Sequence, residues 1–215
     1  MAQIFHRSAN TLSRVTIFGA IFIAGFVLWV IGGIVRSPYF TNQGIAREQP
    51  VPFSHQHHVT GLGIDCRYCH TSVETSSFAG LPPTSTCMNC HSQIWTNAAI
   101  LEPIRESYRT GKPIHWSRVH RLPDYVHFNH SIHVAKGIGC ASCHGEINRM
   151  NLVHQASPLT MEWCLSCHRA PEKHIRPREE VFNMNYVPKD QAVIGPELVK
   201  KYGVRSMTHC STCHY

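Results

Sequence analysis

Ten cysteines stand in this 215-residue chain, and all ten fall in five C-x-x-C-H units with none left over. The units are Cys66-Arg67-Tyr68-Cys69-His70, Cys87-Met88-Asn89-Cys90-His91, Cys140-Ala141-Ser142-Cys143-His144, Cys164-Leu165-Ser166-Cys167-His168 and Cys210-Ser211-Thr212-Cys213-His214. C-x-x-C-H is the attachment signature of c-type haem. Two thiols separated by two residues reach the two vinyl groups on one porphyrin edge, and the adjacent imidazole lies beneath the ring to ligate iron. Structural zinc uses C-x-x-C pairs without requiring a histidine after every one. A disulfide framework does not repeat one spacing five times. The reading is therefore five covalently bound haem c groups, with His70, His91, His144, His168 and His214 as proximal iron ligands.

That cofactor load bounds the fold. Charged residues are only 15% of the chain, against a long disordered or coiled-coil segment, and 14 Gly with 13 Pro favour short elements joined by loops. No alternating strand pattern is strong anywhere. Apolar residues outside the N-terminal segment are too few for an independent core, so the porphyrins themselves are expected to serve as one. The fold class expected is mostly α and irregular: a single N-terminal transmembrane helix followed by a loop-rich multihaem cytochrome c domain. A formal charge of +7 would ordinarily point to nucleic acid or anionic lipid. Five haems carry about ten propionate charges and return about one positive charge per oxidised iron, which brings the assembled protein near neutrality. No nucleic-acid partner is expected.

Residues 15–35 contain no charge and read VTIFGAIFIAGFVLWVIGGIV. Twenty-one helical residues span about 30 Å, the thickness of a bilayer core. Arg7 and Arg14 precede the run and Arg36 and Arg47 follow it, so the flanking charge gives little orientation. The haems supply it, because c-type haem is attached outside the bacterial cytoplasmic membrane. A cleaved signal peptide would have an apolar core of only about 7–15 residues and a small-residue cleavage site. The expected organisation is a cytoplasmic tail (1–14), a single-pass signal anchor (15–35), a linker (36–52) and a periplasmic pentahaem domain (53–215).

The domain contains a repeat. The first cysteines stand at intervals of 21, 53, 24 and 46 residues, which groups the motifs as pair, pair, single. Phe53-Ser54-His55-Gln56-His57-His58-Val59 matches Phe128-Asn129-His130-Ser131-Ile132-His133-Val134 as F-x-H-x-x-H-V, and both runs reach G-x-x-C at Gly63 and Gly137. The stretch Ala79-Gly80-Leu81-Pro82-Pro83-Thr84 loosely parallels Ala156-Ser157-Pro158-Leu159-Thr160. Two two-haem modules, about 53–91 and 128–168, and a one-haem tail, 169–215, account for the domain. Between the modules, residues 92–102 carry helical periodicity through Ile94, Trp95, Ala98 and Leu101, with Pro103 interrupting that helix or starting another, and 112–126 reads as extended chain.

Low-spin haems need a second axial ligand each. In F-x-H-x-x-H two imidazoles point in different directions, so one element serves two haems. His55, His58, His130 and His133 are the expected distal ligands, and His120, His154 and Met161 compete for the fifth place. His57, His115, His127, His174 and His209, with Arg105, Arg109, Arg118 and Arg121, are candidates for propionates or solvated faces.

The F-x-H-x-x-H pairs ahead of C-x-x-C-H resemble the cytochrome c3 superfamily. That resemblance implies that the first histidine ligates the haem that follows and the second reaches another. The run from Trp116 through Val119-His120, Leu122-Pro123-Asp124-Tyr125 and Phe128-Asn129-His130, continued by Leu159-Thr160-Met161 and Trp163-Cys164, is similar to the pentahaem cytochrome subunit of alternative complex III. This implies an electron-transfer subunit of a quinol:acceptor oxidoreductase. Its partners would be an iron–sulfur subunit with a molybdopterin-enzyme-like region, polytopic quinol-binding membrane subunits and a monohaem cytochrome c. Electrons would leave to a soluble carrier or a terminal oxidase. Related multihaem subunits serve other quinone reductase complexes. Two other classes compete. A self-sufficient membrane quinol dehydrogenase would use His55, His57 or Glu48 near the membrane surface. A catalytic multihaem reductase would need an open iron position, and such enzymes carry a C-x-x-C-K motif that this chain lacks.

Overall fold

The computed structural model describes residues 4–215, which divide into two compact units, Met1–Asn42 and Gln43–Tyr215. The first is dominated by α1 (Ser8–Arg36), which is long and apolar enough to cross a membrane and buries none of its own residues. The helix begins ahead of the apolar run, so Ser8 to Arg14 continue it rather than forming an irregular tail. The one hydroxyl in its apolar run, Thr16 Oγ1, donates back to the Leu12 carbonyl at 2.9 Å and is satisfied within the helix. Arg36 closes the last turn onto the Gly32 carbonyl, and Ser37 caps it by donating to Ile34. A short turn, α2 (Pro38–Thr41), follows and stops at Asn42, whose φ of 58° is left-handed.

The second unit is helical and irregular throughout. Among the described residues there is no strand, only isolated bridges such as Ala46 with His154 and Val126 with His214. A π-helical turn (Gln56–Gly61) leads to α3 (Cys66–Cys69) and α4 (Thr84–His91). After α5 (Glu102–Thr110) the chain runs without helix to α6 (His130–Ala135), α7 (Cys140–His144) and α8 (Met161–Arg169), then α9 (Gln191–Lys201) and α10 (Cys210–Cys213). The helix expected over 92–102 does not form. Ser92 and Ile94 end α4 by donating to Met88 and Cys90, and Trp95 turns left-handed at φ 55°. Pro103 starts the next helix instead, in the first turn where its missing N–H costs nothing.

Two small apolar clusters hold the unit. Val51, Leu101 and Ile104 pack with Cys87, Met88, Ala98, Ile114 and Trp116. Ile175, Leu198 and Tyr202 pack with Ile194, Val199 and Val204, which seats α9 on the chain after the fourth motif. Only nine apolar side chains are buried among the described residues, far fewer than a domain of this length normally needs. Close backbone approach compensates locally. At Gly195 a Cβ would strike the Glu172 carbonyl, and at Gly137, φ +81°, the Arg176 carbonyl.

Candidate haem-binding sites

Each C-x-x-C-H lies on a short helical turn, which sets two cysteines three residues apart on one face with the histidine beside them. Side chains nucleate two of these turns. Asp65 accepts from the Arg67 amide at 2.8 Å ahead of α3, and Thr160 accepts from Trp163 at 3.4 Å ahead of α8. None of the ten cysteines is joined to another in a disulfide. Burial first, then the thiolates nearby, pushes Cys143 up to about 12; burial followed by Cys66 pushes Cys140 up to about 11. Among the described residues no three His, Cys, Asp or Glu side chains converge to hold a bare metal ion.

The two F-x-H-x-x-H elements have the same geometry although one is a π turn and the other an α-helix. The residue after each Phe caps the turn: Ser54 Oγ accepts from the His57 amide, and Asn129 Oδ1 from the equivalent Ile132 amide. Each Phe then separates its two imidazoles. Phe53 meets His55 edge-on at 4.9 Å and stacks on His58 at 4.3 Å; Phe128 meets His130 edge-on at 4.8 Å and stacks on His133 at 4.5 Å. Sequence reasoning gave these phenylalanines no role, yet their repetition in register was the available signal.

Most of these imidazoles are locked in one tautomer. Nδ1–H donates to a backbone carbonyl in His58 (Ser54, 2.8 Å), His70 (Gly80, 2.7 Å), His91 (Ile94, 3.2 Å), His130 (Ser77, 2.9 Å) and His133 (Asn129, 2.7 Å). A carbonyl only accepts, so the proton sits on Nδ1 and the Nε2 lone pair is free for a metal. Burial also favours the neutral form of His55, His58 and His133. It lowers His58 and His133, and with help from His70 and neighbouring histidines it brings His55 to about 4.

Three ring pairs test whether these residues fit a haem. His58 and His91 have ring centres 6.3 Å apart, His130 and His144 6.4 Å, and His133 and His168 6.2 Å. Metal–imidazole bonds of about 2.0–2.1 Å, with each ring centre about 1.1 Å beyond its nitrogen, put two trans ligands about 6.3 Å apart centre to centre. The residues fit an iron held between each pair. His55 lies close enough to His70 to lower its own pKa through it, and His55 Nδ1 is a buried polar atom without a partner.

The other candidates are placed differently. His120 Nε2 meets His144 Nδ1 at 3.2 Å with ring centres 4.4 Å apart, too close for the two to face each other across one iron. Burial, then His120, lowers the pKa of His144 to about 3. His154 is half-buried, pairs by backbone with Ala46 and lies near His120. Met161, the first residue of α8, is 66% exposed. At the fifth motif His214 faces Tyr125 at 5.6 Å, and His127 packs on Tyr215 while its amide donates to the Cys213 carbonyl. Arg105 is taken up by Glu102 and the Thr96 and Ala98 carbonyls, and Arg109 by Glu106.

Comparison with known proteins agrees with this geometry. Residues 126–215 match the family model described as cytochrome c7 and related cytochrome c. The chain is also similar to the multihaem cytochrome c subunit of menaquinone reductase from Nitratidesulfovibrio vulgaris, with 38% identity over 111 residues, 50% of this chain and 52% of that protein. The chain thus spans about half the length of the curated relative it matches. Its C-terminal region is thus similar to multihaem c-type cytochromes.

Proposed function

We propose that the chain is a membrane-anchored pentahaem relay that passes single electrons between a quinone-reacting membrane complex and a second redox partner. The observation that carries this is the set of imidazole pairs 6.2–6.4 Å apart, each joining a C-x-x-C-H histidine to an F-x-H-x-x-H histidine. Bound haem supplies one-electron Fe(III)/Fe(II) chemistry. The chain holds and tunes it. Five cysteine pairs anchor the rings, Phe53 and Phe128 orient the distal imidazoles, and backbone carbonyls fix the tautomer that presents Nε2. His55 is the distal ligand opposite His70, which gives four of the five sites two imidazoles.

Helix α1 serves as a single-pass anchor in the bacterial cytoplasmic membrane, with 43–215 on the periplasmic side, where c-type haem is attached. Partners on this reading are an iron–sulfur subunit, polytopic quinone-binding subunits and a monohaem cytochrome, as in alternative complex III. The Nitratidesulfovibrio vulgaris relative belongs to a menaquinone reductase and favours a second reading, electron delivery to quinone rather than removal from quinol. The relay itself runs either way, and the partners' potentials set the direction. The test is purification from mild detergent followed by low-temperature EPR. Low-spin signals and co-purifying membrane subunits are expected. A stoichiometric high-spin haem that binds nitrite would replace the relay with a reductase.

A further inference from the structure

On the reading that each motif carries a haem, we infer that the five sites form one unbranched path in the spatial order second, first, third, fourth, fifth, with the His130–His144 site in the middle. Chain order alone would start at the first motif and does not predict this.

Each step rests on a contact between the motifs or their ligands. The second and first motifs touch through their central residues, where Asn89 Nδ2 donates to the Tyr68 hydroxyl at 3.0 Å. The first and third are joined by one loop. The Gly80 carbonyl holds His70 Nδ1, and three residues earlier the Ser77 carbonyl accepts from both the amide and Nδ1 of His130. Ser131 donates to Ser76 beside it. The third and fourth share α6, on which His130 faces His144 and His133 faces His168. The fourth and fifth meet twice. Ser206 Oγ donates to the His168 carbonyl at 2.8 Å, and the strip that carries Phe128, stacked on His133, pairs at Val126 and His127 with His214 and Cys213.

A path of this form puts the second and fifth motifs at the two ends, where electrons enter and leave. Every electron must then cross the third site, the one whose proximal histidine is held by another imidazole, His120, rather than by a carbonyl.

The test is a redox titration of the full chain in detergent, followed haem by haem through resolved paramagnetic NMR signals. A reduced haem lowers the midpoint of its neighbours by charge repulsion, and the effect fades with distance. Exchanging a distal histidine for Met raises the potential of that one haem, so it is reduced first. In His130→Met the first and fourth haems should shift to lower midpoints, and the second and fifth should shift less. In His58→Met the first should respond most. If either variant fails to assemble, the pairwise interactions read from the unsubstituted chain give the same ranking. A second or fifth haem coupled to the third as strongly as the first and fourth are would overturn the order. Fewer than five haems in the unsubstituted chain would instead overturn the pentahaem reading beneath it.

Discussion

At the scale of single residues, an imidazole is committed by what holds its other nitrogen. Five of the ring nitrogens opposite the free Nε2 atoms donate to backbone carbonyls, whereas His144 Nδ1 is paired with His120 Nε2, which would accept from it if His144 Nε2 holds iron. An acceptor on Nδ1–H raises the basicity of the ligand and favours oxidised iron. His120→Leu should therefore raise the midpoint of the third haem by tens of millivolts, where about 59 mV is a tenfold change for one electron. His120→Asn should restore much of the shift, and the low-spin spectrum should persist in both. Conversion of one haem to high spin would make His120 an axial ligand and refute this placement. The phenylalanines offer a second prediction. Phe128 stacks on His133 and meets His130 edge-on, so Phe128→Ala should cost about 1 kcal/mol of stability. It should broaden the EPR signals of the third and fourth haems together, and broadening confined to one would contradict its dual role. The candidate ligands were named from the sequence because C-x-x-C-H and F-x-H-x-x-H are patterns of chemistry, and the structure brings His58 to His91, His130 to His144 and His133 to His168. The place of His120 was not, because His120 and His144 are 24 residues apart and meet only through tertiary packing.

Elements here are short because their task is to present a ligand, and most end within two turns. The short helices at the motifs, a single turn at α3, α7 and α10, follow from the fixed spacing of cysteine and histidine. Helix α9 escaped notice for a physical reason. Gly195 and Pro196 at its centre are helix breakers in isolation. Tertiary contact overrides them: Gln191 Nε2 donates to the Glu172 and Ile175 carbonyls, and Gly195 packs on the Glu172 carbonyl with no room for a Cβ. The Asp190 cap, which accepts from Ala192 at 3.0 Å, was the available sign. Gly195→Ala should force α9 off the turn at Pro171–Lys173 and cost about 1–3 kcal/mol, the usual penalty of overpacking. Thermal unfolding of the assembled protein reads it, and an unchanged midpoint would show that α9 docks elsewhere. The helix expected over 92–102 failed in the opposite sense. Its periodicity is real, but Leu101 and Ala98 are drawn into the cluster around Val51 and Ile104, and the chain turns at Trp95 to deliver them.

For the whole molecule, the account joins an apolar helix to a domain whose own core is slight. Helix α1 should hold the protein in membranes against alkaline carbonate and release it only to detergent, and protease added to spheroplasts should reach 43–215. Release by carbonate, or protection of that region, would contradict the anchor and its orientation. Within Gln43–Tyr215, Val51, Ile104, Ile175 and Leu198 belong to two separate small clusters, so the covalently held porphyrins must supply much of the buried apolar surface. This was readable in outline from the chain's composition and its five motifs. The spatial order of the motifs was not, because it depends on contacts such as Asn89 with Tyr68 and Ser77 with His130 that no local pattern encodes. The central claim, that every C-x-x-C-H motif holds a covalent haem, is tested most directly by the intact mass of the chain purified from its membrane. The account predicts the polypeptide mass plus five haems in one species, whereas a mass carrying four or fewer, or bound zinc in their place, would contradict it.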